Sequence, residues 1–201
     1  MPDSVRERGL ERLDAVPVSD AEASRLRDEL RGFGWDAPDD GYVWLSCVLA
    51  LEALATGNYG VGAVIVRAGD VVAEGRNHLL EPYVRTNRHA EMEALDQFED
   101  RFRELPAATG FTMYTSLECC PMCTVRLINT GIREVLYAAP DADGGMLGRF
   151  DGLPPFWQSL AASRVPPQRF AQAPCAPGLT DLAARIFRAS DSQLDLRMAA
   201  R

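Results

Sequence analysis

The chain contains no lysine: all 21 basic residues are arginine, set against 29 acidic residues for a formal net charge of -8. Without a lysine amine there is no Gly-Lys phosphate loop, no Schiff-base aldolase and no pyridoxal chemistry. The acidic balance also argues against the basic stripe by which polyanion-binding proteins neutralise phosphates. A local cluster such as Arg76, Arg85 and Arg88 could still hold a phosphate or two. Long apolar runs are missing as well. Nowhere do eighteen apolar residues stand together, and the first eight residues are charged and lead into no apolar stretch. No membrane span is therefore expected, and a cytoplasmic protein is. Histidine is scarce, with His78 and His89 alone. Five cysteines, three of them crowded into Cys119, Cys120 and Cys123, suit a reducing compartment and a metal better than a disulfide framework. Cys47 and Cys175 read as isolated thiols.

What is present is concentrated in two short segments, His89-Ala90-Glu91 and Cys120-Pro121-Met122-Cys123. One imidazole and two sulfurs make three zinc ligands. Structural zinc usually takes four protein ligands, whereas hydrolytic zinc takes three and leaves the last position to water, whose pKa falls from ~15.7 toward ~7. Glu91, two residues past the histidine, is placed to carry protons rather than to bind metal. Cys120 and Cys123 stand at the start of a helix opened by Pro121, where free amide donors and the positive end of the helix dipole favour thiolates. Cys119 competes with Cys120 as the first sulfur ligand, and the proline after Cys120 favours the latter. Either pattern alone is weak: a Cys-x-x-Cys can be a redox pair, and a His-x-Glu arises by chance.

Taken together, the segments Thr86 to Glu91 and Thr115 to Cys123 resemble the zinc-dependent cytidine, guanine and tRNA-adenosine deaminase superfamily, and the resemblance runs from about Gly41 to about Ala139. Val61 to Val66 looks like that family's first strand and Glu74 to Asn77 like the end of its second. One departure is Cys119, where the family usually has proline. The resemblance implies a three-layer α/β/α core with a mixed five-stranded sheet and one Zn2+ per chain. His89, Cys120 and Cys123 would be the ligands and Glu91 the catalytic proton carrier. Asn77 would hold the base, and Ala90, Leu117 and the backbone near Cys120 would line the substrate site. Homodimers or larger assemblies are common in the family, and the apolar Tyr42 to Leu54 stretch and Phe156-Trp157 are compatible with them.

Along the chain, residues 1–38 read as a charged N-terminal helical extension, with Ser19 to Glu22 as a capped start and a polar helix from Ala23 to Phe33. Residues 39–201 form the deaminase domain that the resemblance implies. Tyr42 to Thr56 is apolar nearly all round, which predicts a buried helix. Val61 to Val66 and Val71 to Glu74 flank Ala68-Gly69-Asp70 as a hairpin. A loop follows, then a helix over residues 89–102, a strand at 111–115, a helix from Pro121 to a stop at Gly131, and a strand at 134–138. This order implies a mixed sheet with helices on both faces. Residues 140–201 read as a Gly/Pro-rich lid and a C-terminal helix around Thr180 to Ala189. Phe150, Phe156 and Trp157 are candidates to stack on a flat base, or equally to form a packed contact. Glu118 reads as a loop brace and Glu93 as a helix-surface charge.

These features predict hydrolytic release of ammonia from an amino-substituted purine or pyrimidine, with a free base or nucleoside of guanine or cytosine type favoured by the acidic charge. Nucleic acid as a partner is disfavoured on the same ground. A tRNA-specific adenosine deaminase is the runner-up, and a non-catalytic zinc-stabilised scaffold stands third.

Overall fold

The structure is a computed structural model and describes residues 2–18, 20–105 and 107–200. Its elements run α1 (Pro2–Ala15), α2 (Ala21–Gly32), α3 (Asp40–Ala55), β1 (Gly62–Arg67), β2 (Asp70–Arg76), α4 (Ala90–Arg101), β3 (Phe111–Leu117), α5 (Pro121–Thr130), β4 (Glu134–Ala139), a 3-10 turn at Leu147–Gly152, α6 (Pro155–Ser163), β5 (Arg169–Gln172) and α7 (Pro177–Ala199). The strands form one sheet in the order β2-β1-β3-β4-β5. Strand β1 is antiparallel to both β2 and β3, while β3, β4 and β5 are mutually parallel. The β1–β2 connection is tight because Ala68 and Gly69 both take positive φ, 50° and 90°, the geometry whose twist matches a two-residue hairpin.

Strand register places the helices. Gly62 pairs with Arg76 and Ala63 with Gly75, so each pair shares a face. A Cβ on Gly62 would lie 2.2 Å from the Ser46 carbonyl of α3, whereas one on Gly75 would lie 2.0 Å from the Ala90 carbonyl of α4. Helices α3 and α4 therefore cover opposite faces, giving the three-layer α/β/α arrangement with a mixed five-stranded sheet. Helix α7 lies beside α3, and α5 lies beside α4.

The N-terminal residues are part of this core rather than an appendage to it. Leu13, Leu26 and Leu30 are fully buried in the same apolar cluster as Trp44, Val64 and Leu95. Trp44 donates from Nε1 to the Leu30 carbonyl at 2.7 Å, and Arg6 sits 5.0 Å from the ring centroids of both Trp35 and Trp44. Helix α1 was not legible in the sequence, since its charged residues conceal the few apolar ones that meet the domain. Asp20 caps α2 by accepting from the Ala23 amide at 2.9 Å, and Ser19 lies outside the described residues.

Because α1, α2, α7 and the sheet surround α3, nearly all of Tyr42 to Leu54 is interior. The expectation that this stretch offers a subunit surface is corrected: its apolar side chains are consumed by the chain's own core. Strand β5, with the sequence Arg-Phe-Ala-Gln, is too short and too polar to announce itself, yet it completes the sheet beside β4. Helix α7 also extends well past the predicted Thr180 to Ala189. Its start is held by the fully buried Asp40, which accepts from the amides of Asp36 and Ala37 through one oxygen and from that of Ala176 through the other. Among the described residues no helix is long and apolar enough to cross a membrane.

Candidate metal centre and active site

Two helix N-termini converge on the centre. His89 is the extended residue just before α4, and Cys120 the extended residue just before α5, with Pro121 in the first turn. The first helix reaches its place because Gly75 has no side chain where the Ala90 carbonyl rests. The second follows directly from β3, whose last residue is Leu117. His89 Nδ1 lies 3.7 Å from Cys120 Sγ, and the donor atoms of His89, Cys120 and Cys123 all lie within 4.8 Å of one another.

This donor set fits zinc. Two ligands at ~2.0 and ~2.3 Å on a tetrahedral ion stand about 3.5 Å apart, close to the spacing seen, and one imidazole with two sulfurs leaves the last position open. Cys123 is buried while His89 and Cys120 are half-buried, so the cluster has one side toward solvent. Cys119 is fully buried and lies outside the cluster. The sulfurs gathered beside His89 are those of Cys120 and Cys123, the pair that could hold the metal.

The electrostatics of these side chains show how closely the groups interact. The Cys123 thiol donates to the Cys120 sulfur, and with the His89 hydrogen bond this brings Cys120 down to about 4 despite burial. The same bond, together with burial, holds Cys123 well above the usual thiol range. Burial pulls His89 down, but its hydrogen bond to Cys120 and the nearby Glu91 raise it overall. Glu91 is buried, and burial, reinforced by the negative charge on Cys120, pushes its carboxyl up. Its Oε2 lies 3.5 Å from Cys123 Sγ, and the Cys119 thiol bonds to it. A carboxyl that resists ionisation beside a metal site is suited to holding and passing a proton.

The remaining candidates are placed unevenly. Asn77 is buried at the end of β2, its Oδ1 accepting from the Leu79 amide at 3.0 Å, which leaves the side-chain nitrogen to donate elsewhere. Ala90 is fully buried in the first turn of α4. The Leu117 carbonyl already accepts from Thr115 Oγ1 at 3.0 Å, with a second lone pair left over. Phe150 stacks on Phe170 at 4.9 Å, and Trp157 packs with it in a satellite cluster under Ile128 and Leu153. Phe156 meets Trp157 edge-on and is otherwise 66% exposed. Glu118 braces the following loop, accepting from the amides of Asp141 at 3.0 Å and Gly148 at 2.6 Å.

The arginine cluster is not free as a set. Arg76 pairs with Glu52 and donates to His78 Nε2, and Arg88 pairs with Glu93 and Asp96, whereas Arg85 has no such partner among the described residues. Two contributors escaped the sequence reading. Asn58 accepts from the Leu80 and Glu81 amides at 2.8 and 3.0 Å, and the end of α7 packs Leu194 and Met198 on Leu79 and Leu80. Both act across long sequence distances and left no local signal. A cavity of about 700 Å³ along the β2 edge, lined by Arg12, Glu52, Glu74, Arg76, His78 and Glu93 among others, shares no lining residue with the metal cluster.

Residues 38–139 match the family model described as the cytidine and deoxycytidylate deaminase zinc-binding region, and the chain belongs to that family. Among curated relatives, the tRNA-specific adenosine deaminase of Bacillus subtilis is 32% identical over 55% of this chain and 67% of its own length. The chloroplastic tRNA(adenine(34)) deaminase of Arabidopsis thaliana is 31% identical over 57% of this chain but only 9% of its own length. Solved structures share the fold. A chain from a study of A-to-I editing by tRNA:A34 deaminases superposes with a TM-score of 0.58 at 24% identity, covering 72% of this chain and 97% of that one. The guanine deaminase of Nitrosomonas europaea gives 0.56 at 20% identity, covering 81% and 91%.

Proposed function

We propose that this chain catalyses hydrolytic deamination of adenosine within an RNA, replacing the ring amino group by oxygen and releasing ammonia. The observation that carries the chemistry is the buried Glu91 carboxyl in contact with the sulfur of a His89, Cys120 and Cys123 cluster. When bound by these three residues, zinc supplies an activated water. Glu91 would take a proton from the attacking water and return protons to the ring nitrogen and the departing amino group. Its burial keeps bulk water from competing for those protons. Asn77 would orient the base through its side-chain amide, and the Cys120 amide with the Leu117 carbonyl would meet the amino group.

The RNA substrate is favoured by the curated relatives, several of which are tRNA adenosine deaminases at 31 to 35% identity. That shifts the order set by composition, in which a free base or nucleoside stood first. The small-substrate reading keeps one specific support, the net charge of -8. Ammonia release from zinc-loaded protein, measured on an RNA hairpin with a loop adenosine and on free bases and nucleosides, separates them. Activity confined to free guanine or cytosine would overturn the RNA reading, and activity on none would favour the scaffold.

A further inference from the structure

Residues 78–88 connect the candidate base-binding Asn77 to the candidate ligand His89, and they are pinned along their length. The Arg85 amide donates to the Leu79 carbonyl at 2.7 Å and the Arg88 amide to the Arg85 carbonyl at 2.9 Å. Asn77 and Asn58 hold the amides of Leu79, Leu80 and Glu81. From the far end of the chain, Leu194 and Met198 cover Leu79 and Leu80, and Arg197 pairs with Glu81 at 2.7 Å. A loop held by this many bonds has little freedom to fray, so what its tip exposes is presented in a fixed place.

That tip exposes an aromatic ring beside an unpaired cation. Tyr83 is 62% exposed, and the Arg85 guanidinium carbon lies 5.9 Å from its ring centroid. Among the described residues no carboxylate lies within ion-pair distance of Arg85, although acidic residues outnumber basic ones in the chain. The bond from Arg88 to Arg85 closes a turn that keeps their Cα atoms within ~7 Å, and His89 follows at once. An exposed ring and a guanidinium with no carboxylate partner among the described residues, on the loop that leads into His89, match the two surfaces of a nucleotide, its base face and its phosphate.

We propose that Tyr83 and Arg85 bind the nucleotide next to the reacting adenosine, Tyr83 by stacking on the base and Arg85 by contact with the phosphate. The proposal rests on the RNA reading above and deepens it. It assigns recognition to a tip whose residues take no part in the proton transfers.

The test compares wild type, Tyr83→Ala, Tyr83→Phe and Arg85→Ala on an RNA hairpin and on adenosine. Loss of one stacked base corresponds to roughly 5- to 150-fold in affinity, so Tyr83→Ala should lower kcat/KM on the hairpin by that order, mainly through KM, and leave adenosine turnover and zinc content unchanged. Tyr83→Phe should retain hairpin activity. Arg85→Ala should flatten the dependence of log affinity on log salt by about one. A wild type that edits the hairpin while Tyr83→Ala matches it overturns the inference alone. A wild type inactive on any RNA overturns the reading beneath it.

Discussion

The backbone amide of His78 donates to the carbonyl of Arg88 at 2.9 Å, closing the loop between Asn77 and His89 at its base. The end of an edge strand and the start of a helix on the sheet's face are thereby held side by side, with the candidate base-binding amide and the candidate imidazole ligand on either side of the bond.

Replacing Glu91 by Gln is expected to keep one zinc per chain and the fold while lowering turnover by ~10²–10⁴-fold, the usual contribution of a positioned acid-base group. Zinc content by elemental analysis and ammonia release are the measurements. A Glu91→Gln protein with normal turnover would remove Glu91 from the mechanism.

Sulfur choice is testable by substitution. Cys120→Ser and Cys123→Ser should each lose zinc at micromolar protein with a chelator present, and Cys119→Ser should keep it, because Cys119 stands outside the cluster. Zinc retention that fails in Cys119→Ser and survives in Cys120→Ser would reverse the assignment.

In the metal-free protein, Cys120 is lowered to about 4 while Cys123 and Cys119 are raised. At pH 6 iodoacetamide should therefore label Cys120 first, whereas unfolded chains, with thiols near ~8.5, should barely react. Since the folded value lies below the unfolded one, ionised Cys120 adds most stability above the ordinary thiol range. That contribution shrinks as pH falls and is gone below about 4. Peptide mapping showing uniform labelling of all cysteines would contradict the geometry.

Gly75→Ala should damage the site without touching a ligand. The new methyl would sit 2.0 Å from the Ala90 carbonyl, so the start of α4 must move. A loss of roughly 1–3 kcal/mol is expected from overpacking, with a larger loss in zinc affinity than in melting temperature. Thermal melts with and without zinc measure both, and unchanged zinc affinity would show that α4 can slide freely.

The clamp from α7 can be released at Leu194, which is buried on Leu79 and Leu80. Leu194→Ala is expected to cost about 2–5 kcal/mol of local packing and to raise hydrogen exchange across residues 79–85 before the sheet is affected. Exchange that rises first in the strands would mean that the clamp is part of the global core instead.

Much of this architecture was written in short stretches of the chain. The all-round apolar Tyr42 to Thr56, the two strands around Ala68-Gly69, the proline opening α5 and the spacing of His89, Cys120 and Cys123 each express a preference set by neighbours a few residues apart. Such preferences are readable because periodicity, capping and turn chemistry are local. What stayed hidden has the opposite character. The polar α1 is a helix in place because Leu13 meets the core, β5 is a strand because β4 offers it an edge, and Phe150 stacks on Phe170 of that strand.

By itself, then, the amino-acid order determined which residues could carry the chemistry: one imidazole, two sulfurs of three, one carboxyl, and no lysine. Only the tertiary structure decided which sulfurs lie beside the imidazole, that Arg76 and Arg88 are taken up by carboxylates while Arg85, among the described residues, is not, and that residues near the C-terminus hold the loop between Asn77 and His89. The physical reason is range. Side-chain chemistry belongs to each residue, but ion pairs and packing join groups far apart in sequence, such as Arg197 and Glu81, and exist only once the chain has brought them together.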